Sequence, residues 1–295
     1  MNQENNSTIS GPRPAKDITD NLYARTGKLP VWRTIVRAWA IVFRRLNIFV
    51  ALAAIPMALT WLIQFIGADL VESWHLPGRV RIVIEEPFRW VFWTVFSVAW
   101  HRYALLGHRD SRRMFQFQLG TREIKFMAYA SVLAVPLLLA RVPLLYFGDQ
   151  VPELPLPYLI LMLVLVITGI TVGIRFSFVF PSVSVERKTG LKQAWGETSG
   201  SGWRIFWASF LASIPLGVLD RLARELVLMM EPIVTRTGQS AWENPLGHWM
   251  IGLSIAQLIL TFFFPAVLVS VLCIAFRRQT EWEPPSESTT EKSGG

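Results

Sequence analysis

Residues 172–215 read VGIRFSFVFPSVSVERKTGLKQAWGETSGSGWRIFWASFLASIP, and they show once a pattern that recurs along the chain. An apolar run ends in Arg175, a short basic and amphipathic segment follows, and a Gly/Ser-rich joint leads into a second apolar run that contains Pro215. Apolar runs of about 20 residues are long enough to cross the ~30 Å hydrocarbon core of a bilayer as helices. The stretch therefore predicts two membrane-spanning helices joined on one side of the membrane.

The composition of the whole chain also favours a membrane protein. Of its 295 residues 52% are hydrophobic and 17% charged, which is more apolar surface than a soluble core of this size uses. The formal net charge is +8, but the Lys and Arg residues flank the apolar runs and form no separate basic domain. We therefore expect anionic membrane lipid on the cytoplasmic face as the partner, and no nucleic acid.

Six apolar runs predict an all-α polytopic bundle with six transmembrane helices. The predicted spans are 48–68, 88–106, 124–147, 156–177, 205–224 and 250–276. They belong to one domain, residues 31–278. The polar segments 1–30 and 279–295 are expected to be disordered cytoplasmic tails.

An amphipathic helix is predicted just before the first span, over residues 31–46. Its apolar positions recur every three or four residues and are Trp32, Ile35, Val36, Trp39, Val42, Phe43 and Leu46, while the opposite face carries Arg33, Arg37 and Arg44. Such a helix is expected to lie in the headgroup plane. Tryptophans near the ends of the predicted spans are expected to anchor in the same interface; they are Trp74, Trp90, Trp93, Trp100, Trp203, Trp207 and Trp249.

The distribution of basic residues predicts the orientation. Most of the 29 Lys and Arg residues fall in the segments that would share one side of the membrane. By the positive-inside rule this side is cytoplasmic, and both termini lie on it. The loop over residues 148–155 contains Asp149 and Glu153 but no cation, so it should face outward.

Three prolines indicate an internal repeat. Pro56, Pro136 and Pro215 lie 80 and 79 residues apart, each in the first helix of a predicted pair. The second helix of each pair ends at an arginine, namely Arg102, Arg175 or Arg277. We therefore predict three tandem two-helix repeats in one orientation, related by an axis along the membrane normal. Proline kinks at matching depth would either open a central cavity or improve packing.

Two charged residues fall inside predicted spans. Arg141 and Asp220 each follow the proline of their repeat by five positions. One hypothesis pairs them across the third and fifth spans at a polar binding site. The alternative is local: Asp220 pairs with Arg224 at i,i+4 on its own helix, and Arg141 extends its guanidinium to the interface.

Glycines on the fourth span predict close helix packing. Gly169 and Gly173 form a GxxxG pattern, which lets a neighbouring helix approach closely. With six helices available, packing within the chain is favoured over dimerisation.

The sequence contains no pattern that predicts catalysis. The four histidines have no metal-ligand spacing, and no serine lies in a GxSxG elbow. Glu85 and Glu86 are adjacent, so they point in different directions and make a poor acid/base pair. We expect no catalytic residues, no metal site, no cofactor and no enzymatic activity.

Two segments resemble a family of uncharacterised bacterial six-span inner-membrane proteins. They are FPSVSVERKTGLKQAWGETSGSGWRIF at 180–206 and VAWHRYALLG at 98–107. The first is also distantly similar to the membrane domain attached to some glycerophosphodiester phosphodiesterases, through Pro181, Ala194, Trp195, Gly200, Gly202 and Trp203. The resemblance covers about residues 30–278. It implies a helical bundle in the bacterial cytoplasmic membrane and no known activity.

Two functions fit these observations. The first is a non-enzymatic scaffold or accessory module that interacts with anionic lipid. The second is a carrier or permease component for a small or lipidic substrate, with a cavity near the prolines at the depth of Arg141 and Asp220. A connected polar cavity that reaches Arg141 would favour the carrier, and a tightly packed interior would favour the module.

Overall fold

A computed structural model of the chain describes residues 29–75, 78–107, 119–147, 155–188, 190–236 and 244–283, with the backbone alone described at 72, 78–83, 141, 143–147 and 235. Within these ranges the chain forms nine helices and no strand. They are α1 Val31–Arg44, α2 Leu46–Ser73, α3 Gly78–Leu106, α4 Thr121–Phe147, α5 Leu156–Arg175, α6 Val179–Ser184, α7 Leu191–Glu197, α8 Gly202–Arg236 and α9 Pro245–Thr280.

Several helices begin where proline or an N-cap residue predicts a start. The Asn244 side chain accepts a hydrogen bond of 2.9 Å from the backbone N–H of Leu246, and Pro245 occupies the first helical position of α9. Both features stabilise a helix N-terminus, because the cap satisfies an orphan donor and proline has no N–H to leave unpaired. Pro155 likewise directly precedes α5. Only Arg45 separates α1 from α2.

Five helices are long and apolar enough to cross a membrane. The segments are Leu46–Val71 in α2, Thr121–Ala140 in α4, Leu156–Arg175 in α5, Gly202–Val234 in α8 and Pro245–Thr280 in α9. In its described residues the protein is therefore an all-helical bundle with the character of a multi-pass membrane protein.

Helix α3 contains the second predicted span, 88–106, but is not among these five. Its 29 residues would extend about 44 Å at 1.5 Å per residue, so length is not the reason. Its first half carries charged residues, and its second half faces other helices: Phe96, Trp100 and Leu105 are fully buried. A helix surrounded by protein does not need the hydropathy of one that faces lipid. The sixth span remains a prediction.

The long helices pair as three antiparallel hairpins. α2 packs on α3, α4 on α5, and α8 on α9. Pro56, Pro136 and Pro215 each lie within the first helix of one hairpin. This arrangement is compatible with three tandem units, but a symmetry relation between the hairpins remains a prediction.

The core lies where α3 and the second half of α9 meet. α3 and α9 pack on each other, and α1, α2, α6 and α8 also contact α9. The largest fully buried side chains here include Phe96, Trp100, Phe178, Phe262 and Phe276. The α4–α5 hairpin is peripheral, since Gly169 is the one buried residue among those described in α5.

One tryptophan expected at the membrane interface is instead a core residue. Trp100 has 0% exposure, and its Nε1–H donates a hydrogen bond of 3.0 Å to the Ser270 hydroxyl of α9. Its ring packs at 6.1 to 6.2 Å from those of Phe49 and Phe96. The prediction of an interfacial anchor is wrong here, because position near a span end does not reveal whether a ring faces lipid or a neighbouring helix. Trp203 and Trp249 are each 68% exposed, as anchors would be.

Only one glycine of the GxxxG pattern lies at a close helix contact. A Cβ at Gly169 would lie 2.7 Å from Leu137 Cγ and 3.4 Å from the Leu137 backbone nitrogen. A Cβ at Gly173, one turn further on, would meet nothing within 4 Å. Close approach of α4 and α5 therefore depends on Gly169.

We expect Gly169→Ala to destabilise the protein and Gly173→Ala to leave it unchanged or slightly more stable. Overpacking costs about 1–3 kcal/mol. The higher helix propensity of alanine offsets at most about 1 kcal/mol of this loss of stability. Gly173→Ala receives the same propensity gain without the clash. Thermal unfolding of both variants in one detergent measures the difference. Equal melting temperatures would show that α4 and α5 do not depend on this contact.

Candidate functional site

Of the two charged residues predicted inside spans, Arg141 and Asp220, only Asp220 has a described side chain, and it pairs with a residue of its own helix. Asp220 Oδ2 lies 3.0 Å from Arg224 Nη2 one turn further along α8, and Arg221 pairs with Glu225 at 2.6 Å in the same way. The side chain of Arg141 is outside the described residues, so the Arg141–Asp220 pair remains a hypothesis. Helix α4 packs mainly on α5, α6 and α3, whereas α8 packs on α9, α1 and α5. The described contacts thus support the local partner of Asp220.

The three repeat prolines have different surroundings. Pro56 is buried, Pro136 is half-buried and Pro215 is exposed, and the helix continues through each of them. A central cavity formed by three equivalent kinks would place all three in similar surroundings. The burial pattern favours local packing roles for these prolines.

Arginines at one end of the bundle connect different helices. Arg102 Nη1 donates a hydrogen bond of 3.2 Å to the Ser184 carbonyl at the end of α6, and Arg277 donates to the Leu105 carbonyl at the end of α3. The guanidinium of Arg175 lies 5.2 Å from the ring centroid of Trp195 in α7. Cations are stabilised next to the last carbonyls of a helix, where the backbone dipole is negative. These arginines therefore fasten helix ends together.

Three further arginines at this end were not singled out by the sequence. Arg187 lies 2.8 Å from Glu197 and 5.5 Å from the centroid of the Phe276 ring. Arg122 pairs with Glu186 at 3.0 Å, and Arg204 donates to the Leu29 carbonyl at 3.1 Å. The available signal was the presence of Glu186 and Glu197 within an otherwise basic segment. We call this part of the bundle the arginine end; it contains Arg102, Arg122, Arg175, Arg187, Arg204 and Arg277.

Helix α1 lies at the arginine end and presents three faces. The buried face, Thr34, Ile35, Ala38 and Val42, packs on α8 and α9. A second face exposes apolar side chains, Trp32 at 72%, Val36 at 51% and Phe43 at 54%. The third face is basic, with Arg33 and Arg44 exposed and Arg37 half-buried. The single apolar face predicted from the sequence is thus divided between the bundle and the exterior.

The basic face of α1 lies beside the end of α9. Arg278 of α9 is close enough to Arg33 and Arg37 for the three like charges to repel one another. Phe43 contacts Phe263 of α9 with ring centroids 5.8 Å apart, so the two helices run side by side. Positive charge from two helices is therefore concentrated next to exposed apolar side chains.

A separate buried polar cluster lies between α2 and α3, far from the arginine end. Glu85 is 6% exposed and lies 3.6 Å from Arg89, which is also 3.5 Å from Glu86. A Cβ at Gly67 would lie 2.9 Å from Glu85 Oε1, so the glycine makes room for the carboxylate. The gap that Glu85 and Arg89 share with Thr60 and Gln64 is too narrow for a water molecule. The cluster connects α2 to α3 and has no space for a ligand.

Among the residues that the structure describes, no group of three or more His, Cys, Asp and Glu side chains could hold a metal ion. No protein-family model matches the chain, and comparisons with curated proteins and with solved structures give no match. The resemblance to bacterial six-span membrane proteins and to phosphodiesterase membrane domains therefore remains a prediction.

Proposed function

We propose that this protein is a non-enzymatic module of the bacterial cytoplasmic membrane that holds anionic lipid against α1 at its arginine end. The observation that carries the proposal is the division of α1 into a bundle-facing, an apolar and a basic face. A helix needs only its buried face to pack on the protein. The other two faces have the chemistry of a membrane interface, with apolar rings for the acyl region and guanidinium groups for phosphates.

Fixing α1 to the bundle strengthens this interaction. A free amphipathic helix must fold and orient when it binds a membrane, and that ordering costs conformational entropy. Here α8 and α9 already hold α1 through Ile35, Ala38 and Val42. Trp32 and Phe43 then sit beside the membrane with little further ordering, and each arginine near an anionic surface contributes about 1 kcal/mol.

The other arginines at this end already bind protein partners, and in this they differ from the exposed arginines of α1. Arg187 and Arg122 pair with carboxylates, and Arg204 binds a backbone carbonyl. Arg33 and Arg44 are exposed on α1. We propose that they are the main contacts to lipid phosphate. The positive-inside rule would place this face toward the cytoplasm, where anionic lipid gives the membrane its negative surface potential.

The alternative function, a carrier for a small or lipidic substrate, needs a polar cavity within the bundle. The polar gap beside Glu85 is too narrow for water, so it gives the carrier no support. The environments of Pro56, Pro136 and Pro215 also give no support to a cavity formed by equivalent kinks.

We expect anionic lipid to stabilise the wild-type protein, and to do so less in an Arg33→Gln/Arg44→Gln variant. Two arginines at about 1 kcal/mol each would account for roughly 2 kcal/mol of lipid-dependent stability. The matched control is Arg221→Gln/Arg224→Gln, which removes the same charge from arginines already paired with carboxylates. The measurement is thermal unfolding in nanodiscs of neutral lipid with and without phosphatidylglycerol, at low and high salt.

The double variant in α1 should lose most of the gain from phosphatidylglycerol, and the control should keep it. A gain that is the same in both variants, or absent from the wild-type protein, would refute the assignment of lipid binding to α1.

A further inference from the structure

Helix α9 brings the chain that follows it to the basic face of α1. The two helices lie side by side, with Phe43 beside Phe263 at one level and Arg278 near Arg33 and Arg37 at another. They are therefore antiparallel, and the last turn of α9 lies next to the first turns of α1. The residues after α9 leave the bundle beside the arginines of α1.

The chain turns back onto the bundle directly after α9. Glu281, the first residue past the helix, has a left-handed backbone with φ 49° and ψ 26°, a conformation that commonly ends a helix. Trp282 then packs on the core, with its ring centroid 6.2 Å from that of Phe276. Glu283, the last described residue, is therefore held at the arginine end beside the last turn of α9.

The charge of the segment after α9 is complementary to the basic face of α1. The charged residues of this segment are one lysine, Lys292, and four glutamates, Glu281, Glu283, Glu287 and Glu291. At the same end of the bundle, residues 1–28 and 108–118 each carry more Lys and Arg than Asp and Glu. The acidic loop at 148–154 joins α4 to α5 at the opposite end. Of the parts of the chain outside the described ranges, the segment after α9 is thus the one at the arginine end that matches these arginines in charge.

The segment is also long enough to cover the basic face. Arg33 and Arg44 are separated by about 17 Å along α1, at 1.5 Å per residue. Residues 284–295 would reach up to about 40 Å if extended. Attachment to α9 holds the segment at an effective concentration on the order of millimolar, so weak ion pairs are sufficient for contact. Each exposed ion pair would shift the equilibrium by a factor of roughly 1.5 to 5.

We propose that residues 284–295 of the chain itself lie on the basic face of α1 and compete with anionic lipid for Arg33 and Arg44. Glu287 and Glu291 supply the carboxylates, which also relieve the repulsion among the arginines gathered at this face. The competition rests on the proposed function, because the segment can displace lipid only where lipid binds. Membranes rich in anionic lipid would displace the segment, and membranes poor in anionic lipid would not.

The first measurement locates the segment in the absence of anionic lipid. The full chain carries a benzophenone amino acid in place of Ser288 and is illuminated in a neutral detergent at low salt. Peptide mapping compares crosslinks to residues 31–46 with crosslinks to residues 187–197, which are also basic and also lie at the arginine end.

We expect residues 31–46 to give at least about three times the crosslink yield of residues 187–197, since two ion pairs hold the segment on α1. Glu287→Gln/Glu291→Gln should lower the yield on α1 to the level of residues 187–197, and so should about 1 M salt, which screens exposed charges. The matched control, Glu287→Asp/Glu291→Asp, keeps both charges and should keep the crosslinks.

The second measurement tests the competition with lipid. Thermal unfolding in nanodiscs with increasing phosphatidylglycerol gives the fraction of this lipid at which stabilisation is half complete. Glu287→Gln/Glu291→Gln should lower that fraction roughly twofold or more, because the two competing carboxylates are gone. Glu287→Asp/Glu291→Asp should behave as the wild-type protein does.

Crosslinks spread equally over the two peptides, or unchanged in Glu287→Gln/Glu291→Gln, would overturn the proposal. Crosslinks found only between two copies of the chain would do the same, because the segment on α1 would then belong to a second copy. A half-saturating fraction of phosphatidylglycerol that is equal in the wild-type protein and the glutamine variant would refute the competition alone. The absence of any phosphatidylglycerol effect in both proteins would refute the proposed function with it.

Discussion

Trp100→Ala is expected to lower the free energy of unfolding by about 3–5 kcal/mol, the range measured when a large buried aromatic is removed. Trp100 is fully buried where α3 meets α9 and packs against Phe49, Phe96 and Tyr103. Its removal would leave a cavity among these rings, which are too rigid to collapse into it. The substitution would also remove the donor that reaches the Ser270 hydroxyl.

Two further variants separate the contribution of buried packing from that of the hydrogen bond and from that of an exposed tryptophan near a helix end. Trp100→Phe keeps most of the ring volume but loses the hydrogen bond, so we expect a smaller loss of about 1–2 kcal/mol. Trp249→Ala removes an indole that is 68% exposed and should change stability by about 0.5 kcal/mol or less. Chemical unfolding in one detergent measures all three. Similar losses for Trp100→Ala and Trp249→Ala would mean that Trp100 is an interfacial anchor after all.

Ala208→Leu is expected to have the second-largest effect, a loss of about 1–3 kcal/mol from overpacking. Ala208 and Ala212 lie one turn apart on α8, and both are fully buried in the core. The neighbours of α8 are chiefly α9 and α1. Small side chains at this spacing allow two membrane helices to approach closely. A leucine at position 208 would not fit in this buried position and would force α8 away from the helices packed on it, chiefly α9 and α1.

Ala54→Leu is the matched control, because this substitution adds the same side-chain volume at an exposed position of α2. It should have little effect, since the added carbons would point toward lipid. Trypsin sensitivity and thermal unfolding, measured in parallel, report opening of the α8–α9 hairpin. If Ala208→Leu unfolds no earlier than Ala54→Leu, the helices are not packed closely at this level.

Hydropathy was sufficient to predict the class of the protein and most of its long helices. Five of the six predicted spans coincide with helices long and apolar enough to cross a membrane. The sixth, at 88–106, lies in α3, whose charged residues lower its hydropathy and whose second half is buried against other helices. Hydropathy reports how apolar a segment is. It does not report which neighbour a side chain meets.

The same limitation explains the errors within the helices. Gly169 and Gly173 look equivalent in sequence, yet only Gly169 faces another helix. The full burial of Ala208 and Ala212 was not predicted, because alanine is common in any helix. The apolar positions of α1 formed one face in the sequence, and tertiary packing divided them in two.

The pairings at the arginine end could not be deduced from spacing. Arg122 and Glu186 are brought together by α4 and the segment after α6, and Arg204 meets Leu29 from far along the chain. Glu85 was considered as a catalytic acid and set aside, but its burial beside Gly67 depends on the register of α2 against α3. These contacts need a three-dimensional arrangement that a single sequence does not provide.

The central claim is that α1 holds anionic lipid, and counting retained lipids by native mass spectrometry tests it most directly. The protein would be extracted gently from a membrane of known composition, alongside Arg33→Gln/Arg44→Gln and the control Arg221→Gln/Arg224→Gln. We predict that the wild-type protein and the control retain phosphatidylglycerol in excess of its share of the membrane, and that the α1 variant does not. Retention in proportion to membrane composition in all three proteins, or a stoichiometric ligand that is not a phospholipid, would contradict the account.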